Sequence, residues 1–172
     1  MVSNIVQICN YASKYKEILP HNPDFSYEYV DSFTHVEDLE ALVNHIHKSI
    51  PDWTDAPTIL DIKNRLDNQS SVLLQYYKGS VIGWWWISPF YTNNFVDKIK
   101  SVPEGGIYCG NTYVMKDVAP PRAAAHLYSQ CIKYVLQDHD CMYCWMDDWN
   151  IAPIKLCIKC GGEVKNWMEL EV

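Results

Sequence analysis

The sequence predicts a mixed α/β domain of the α+β class: a central sheet, antiparallel at its N-terminal hairpin and parallel at a later crossover, flanked by helices. Three observations carry this. SVLLQYY and SVIGWWWIS (71–77 and 80–88) are β-rich runs joined only by Lys78 and Gly79, a strong hairpin signal. Residues 106–148 read strand (GIYCGNTYVM), proline-marked turn (KDVAPPR), helix, strand (CMYCWMDD), and such a βαβ unit crosses over right-handed into a parallel pair. Between those strands, Ala124, Leu127, Tyr128, Cys131, Ile132 and Val135 recur at helical spacing as one apolar face.

The other elements follow in chain order. Residues 1–24 read as an N-terminal extension in which NIVQICNYASKYKEIL forms a helix with Ile5, Cys9 and Ile18 inward, ended by Pro20. FSYEYVDSF alternates like a strand and opens a single domain over 25–172. Thr34 and Glu37 have capping-box spacing before a helix carrying Val36, Leu39, Val43, Ile46 and Ile50. Asp55 and Pro57 open a shorter helix with the stripe Ile59, Ile62, Leu66. After the hairpin, FYTNNFVDKIKSVPE reads as a loop of roughly 15 residues, a length compact domains keep when it has a use. Beyond the crossover, Asn150 and Pro153 start a helix that Gly161 and Gly162 end, and EVKNWMELEV is a last strand.

Composition bounds the function. The chain has 172 residues, 48% of them hydrophobic and 20% charged, which suits one globular domain with a full core. Its net charge of −7 argues against a nucleic-acid surface, which needs clustered Lys and Arg. No apolar run reaches the roughly 18 residues of a spanning helix, and the first residues carry no secretory pattern. Seven cysteines without such a pattern point to reduced thiols and a cytoplasmic protein.

The element order, with TYVMKD at a strand end, PPRAAAHLYSQC at a helix start and WNIAPIKLCIKCGG at the following helix, resembles the GNAT superfamily of acyl-CoA-dependent N-acyltransferases. The resemblance covers about residues 25–172 and implies transfer of an acetyl or other short acyl group from acyl-CoA to a primary amine. In that fold the fourth and fifth strands splay, and pantetheine lies between them like an added strand. The resemblance therefore implies that backbone near Val114, Met115 and Lys116 holds the pantetheine and thioester. The N–H groups of Arg122, Ala123, Ala124, Ala125 and His126 would hold the pyrophosphate of acetyl-CoA or another acyl-CoA. RAAAH has no glycine where the family has two small residues; counted gaplessly from Val114, Ala119 falls on the family's Arg or Gln and Arg122 on a Gly, so two registers stay open. The family's proton-donating Tyr falls on Cys157. Only one strand follows Gly162 where the family has two, and a homodimer whose partner supplies the other is one answer.

Several residues carry alternative readings. Cys157 is a general acid or a small core residue, and Asn150 a cofactor contact, a helix cap, or both. Asp147 and Asp148 end a strand with opposite parity, so one of them, Asp147 for preference, can face a cleft as base or as anchor for a cationic acceptor. Glu104 and His126 are further base candidates. Trp84, Trp85 and Trp86 cannot share a face; Trp84 and Trp86, with Tyr91 and Trp145, are candidates to line the pocket of a small-molecule amine. Cys141/Cys144 and Cys157/Cys160 approach zinc-ribbon spacing, but a strand sends Cys141 and Cys144 to opposite faces, so no metal is expected. The chain is then an acetyltransferase, a protein that keeps the fold and binds without chemistry, or a zinc-stabilised interaction module.

Overall fold

The structure, a computed structural model, describes residues 2–92 and 98–171. In chain order the elements are β1 (Val2–Tyr11), β2 (Phe25–Val30), α1 (Val36–Ser49), α2 (Ile59–Asp67), β3 (Ser71–Tyr77), β4 (Ser80–Ser88), β5 (Phe90–Thr92) and β6 (Lys98–Ser101). They continue with β7 (Gly106–Val114), α3 (Ala123–Val135), β8 (Cys141–Asp147), α4 (Ile151–Lys159) and β9 (Gly162–Glu171). One seven-stranded sheet has the order β2-β3-β4-β7-β8-β1-β9, and among the described residues only β7–β8 is a parallel pair. The hairpin forms as expected: Lys78 (φ 50°) and Gly79 (φ 84°) both take positive φ, the pairing that a tight two-residue turn between twisted strands requires.

Residues 2–11 are a strand and not the expected helix. Val6 and Ile8 are fully buried on one face, beneath α3 and α4, while Gln7 reaches Tyr91 on the other. The expectation rested on Ile5 and Cys9, and a spacing of four falls on one side under either period. β1 lies between β8 and β9, so the strand missing after Gly162 comes from the start of the same chain. Two joints fix it there. Asn10 Nδ2 donates to the Cys157 carbonyl at 2.8 Å. Gly161, at φ 97°, lets the chain pass so close to Lys14 that a Cβ would meet its carbonyl oxygen.

Other expectations are corrected locally. α1 begins after His35 without a side-chain cap, so Thr34 and Glu37 form no capping box. The box belongs to α2, where Asp61 N–H donates to Thr58 Oγ1 at 3.2 Å and Thr58 N–H to Asp61 Oδ2 at 2.8 Å. The stretch read as a loop over 90–104 contains the β5–β6 hairpin; its residues 93–97 lie outside the described residues.

The sheet separates two cores, with side chains alternating between them along each strand except at bulges. Leu73, Trp85, Ile107, Cys109, Cys144 and Met146 face α3 and α4. Val72, Leu74, Trp84 and Trp86 face α1 and α2. Cys141 and Cys144 take opposite faces, Cys144 alone joining Cys157 and Cys160 beneath the helices. Among the described residues no group of three or more His, Cys, Asp or Glu is arranged to hold a metal, and no helix is long and apolar enough to cross a membrane.

Candidate functional site

The parallel pair that closes the βαβ unit is short. β7 and β8 pair at Gly106–Cys141, Ile107–Met142 and Tyr108–Tyr143, and among the described residues no further pair joins them. Past that point β7 runs on to Val114 and β8 to Asp147, each held on its outer side, β7 by β4 and β8 by β1. The result is a wedge, open at the carboxyl ends of both strands and edged with backbone donors and acceptors. An extended ligand with amide groups can enter such a gap as an added strand.

A bulge lies within the wedge wall. Trp86 pairs with Gly110 but Trp84 with Tyr113, so Asn111 and Thr112 together oppose Trp85. Asn111 takes φ 53°, a left-handed value that Asn tolerates better than most residues. The extra residue reverses parity. Ile107 and Cys109 face α3 and α4, whereas Tyr113 packs on the α1 and α2 side. Arg65 of α2 braces the bulge: Nη1 donates to Asn111 Oδ1 at 3.1 Å, and the guanidinium lies 4.8 Å from the Trp86 ring centroid. Burial pulls the Arg65 pKa down to about 10, which leaves it charged at neutral pH.

At the wedge mouth stands the N-terminus of α3. Its cap residue, Arg122, has φ 69°, the backbone region that glycine takes without penalty. Arg122 thus stands in a backbone conformation that a glycine would take freely, with Ala119 three residues before it. Ala123 N–H donates to the Pro120 carbonyl and His126 N–H to the Arg122 carbonyl, while among the described residues the N–H groups of Ala124 and Ala125 have no backbone acceptor. The first turn carries no acidic side chain and no side-chain cap. A positive helix end with open donors is suited to phosphate. From β3, the buried Gln75 holds the turn in place, its Nε2 donating to the Ala123 carbonyl at 3.0 Å.

The sequence-selected residues fall as follows. Val114 ends β7 half-buried, and Lys116 is exposed just beyond it. Met115 is buried and its N–H is already engaged, donating to the Ile82 carbonyl at 2.8 Å, so this amide is not available to a ligand. Arg122 through His126 gather at the start of α3, where the His126 ring lies 5.0 Å from that of Phe25; burial and the nearby Arg122 lower its pKa. Tyr91 and Trp145 meet, stacked at 4.6 Å with 11° between their planes, and Tyr108 and Tyr143 complete that wall. Asp147 is half-buried and shares the strand parity of Tyr143 and Trp145.

Trp84 and Trp86 do not join them. Both are 0% exposed under α1 and α2, where they form core and can line no pocket from that position. Cys157 is fully enclosed with Cys109, Cys131 and Cys144, and burial pushes the Cys109 and Cys144 thiols well up; this is the environment of a small core residue. Asn150 precedes α4 half-buried and makes no side-chain cap, so the helix-cap reading is not met. Glu104 is exposed at the opposite end of β7, away from the wedge mouth.

Sequence reasoning missed a second cluster on the wedge wall. His45 of α1 has Nδ1 2.8 Å from the Tyr113 hydroxyl and Nε2 2.7 Å from Asp117 Oδ1. The one available signal was Asn111, whose tolerance of positive φ permits the bulge that turns Tyr113 toward α1.

No protein-family model matches the chain, and no curated protein matches it. Solved structures do. A putative acetyltransferase of the GNAT family from Novosphingobium aromaticivorans aligns at TM-score 0.61 and 12% identity, over 98% of this chain and 63% of that one. A GCN5-related N-acetyltransferase from Sphaerobacter thermophilus aligns at 0.62 and 11%, over 98% and 50%. A tandem GNAT protein from the clavulanic acid biosynthesis pathway aligns at 0.62 and 10%, over 98% and 52%. The chain thus spans 50–63% of the length of these three proteins. Its fold is that of the GNAT superfamily.

Proposed function

We propose that the chain is an N-acyltransferase that moves an acetyl or other short acyl group from acyl-CoA to the primary amine of a small molecule. The observation that carries this reading is the wedge between β7 and β8, opening toward the unpartnered Ala124 and Ala125 N–H groups. The residues fit the donor: strand edges suit the amides of a pantetheine arm, and the helix end suits its phosphates. The aligned acetyltransferases support the same chemistry.

The amine attacks the thioester directly in a ternary complex, so the chain's task is to position, to remove a proton and to exclude water. The Tyr91–Trp145 stack forms a flat wall for the acceptor, and Asp147 anchors its ammonium group. Asn150, whose side chain does not cap α4, contacts the donor. Solvent, not the enclosed Cys157, returns a proton to the released thiolate. A second reading, a protein that binds acyl-CoA without turnover, is favoured by Arg122 standing in a glycine conformation at the phosphate end.

The test follows free thiol released from acetyl-CoA with spermidine, tyramine, glucosamine and glycine as acceptors. Amine-dependent release is expected, undiminished in Cys157→Ala. Binding of acetyl-CoA with no release to any amine would favour the second reading.

A further inference from the structure

We propose that Tyr113, His45 and Asp117 form a proton relay that deprotonates the acceptor amine, an inference that rests on the donor-wedge reading above. One face of the sheet at the wedge is covered by α3 and α4, so an acceptor must approach from the other. On β7 that other face is displayed by Tyr108 and, because the bulge reverses parity, by Tyr113. Without the extra residue Tyr113 would point under α3, and its hydroxyl would have no route to His45.

The hydrogen bonds define a direction. An ionised Asp117 only accepts, so the 2.7 Å contact places the imidazole hydrogen on Nε2 and leaves the Nδ1 lone pair free to accept. Tyr113 Oη donates to that Nδ1 at 2.8 Å, and Ser49 Oγ stands 3.3 Å from the same atom. These are the polar groups recorded against the imidazole: Ser49 from α1, Tyr113 from β7 and Asp117 from the turn after it. Partial burial raises the Tyr113 pKa, so the phenol keeps its proton at neutral pH and can act only as a conduit.

In the step proposed, Tyr113 Oη takes a hydrogen from the ammonium group as its own hydrogen passes to His45 Nδ1. The N–H bond breaks and its electron pair remains on nitrogen, which becomes the nucleophile. The imidazolium formed is held against the Asp117 carboxylate. The His45 side chain is 16% exposed and that of Asp117 67%, so the proton can leave to solvent and reset the relay. Tyr113 is here the catalytic residue; His45 and Asp117 act through it.

The experiment measures thiol release from acetyl-CoA with ethylamine as probe acceptor, as a function of pH, in the unmodified chain and in Tyr113→Phe, His45→Gln and Asp117→Asn. Acetyl-CoA affinity is titrated alongside. The unmodified rate is expected to rise with pH. Tyr113→Phe and His45→Gln lose about 10²–10⁴-fold in rate, the usual worth of a positioned base, and flatten that rise with donor affinity unchanged. Asp117→Asn also lowers the rate with donor affinity unchanged, because the acceptor that fixes the imidazole hydrogen on Nε2 is gone. Tyr113→Phe keeps the ring packing, so it reads the relay even if His45→Gln fails to fold. An unchanged rate and pH profile in Tyr113→Phe would overturn the proposal, as would a chain that binds acetyl-CoA but shows no His45-dependent release. Failure of the unmodified chain to bind acetyl-CoA would instead remove the donor reading, and the relay with it.

Discussion

Arg122 shows how a single backbone angle can speak for a site that side chains obscure. A non-glycine residue at φ 69° costs on the order of 1–2 kcal/mol, and such strain persists where surrounding structure holds it. Here Gln75 and the Pro120 carbonyl hold the flanking Ala123. Arg122→Gly relieves that strain but adds freedom to the unfolded chain, so the net is expected to be a gain of about 0–1 kcal/mol in denaturant unfolding. A loss of more than about 1 kcal/mol would mean that the Arg122 side chain, and not its backbone, matters to the fold. The register of the turn is open in the sequence because RAAAH contains no glycine to mark it. Cys157 was legible as core from its place with Ile154 on a helix, although Ile158, read with them, is exposed. His45 was not legible, since nothing in an α1 stripe marks which polar residue will meet Tyr113.

Among the elements, α3 and the β3–β4 hairpin were readable because each has a long, consistent period and its own punctuation. β1 was not. Its short run of β-branched residues satisfies helix and strand spacing alike, and its partners, β8 and β9, come more than a hundred residues later, a pairing that local pattern does not carry. The consequence for stability is direct. Ile8 is fully buried beneath α3 and α4, so Ile8→Ala is expected to cost about 2–5 kcal/mol, the range for emptying a well-packed core position. An extension outside the sheet would lose almost nothing. The β7 bulge was hidden for another reason: Asn111 permits it, but only Arg65 and the register with β4 require it.

For the molecule as a whole, topology was the most legible feature and chemistry the least. An order of hairpin, crossover and trailing helix restricts the sheet to few arrangements, and the alternation of apolar residues then fixes which face each helix covers. The site depends instead on where two strands stop pairing and on which amides remain without partners, and backbone of this kind leaves little trace in residue identity. The wedge can be tested without knowing the acceptor. Titration calorimetry of acetyl-CoA into the unmodified chain and into Ala124→Glu separates the site from the fold, since Ala124 is exposed at the first turn of α3. A carboxylate there favours the helix by about 0.3–1 kcal/mol, yet repels a phosphate bound to the same N–H groups. The account predicts micromolar binding to the unmodified chain and at least about tenfold weaker binding to Ala124→Glu, equal to about 1.4 kcal/mol, with thermal stability preserved or raised. Equal affinity in the two proteins, or no binding to either, would contradict it.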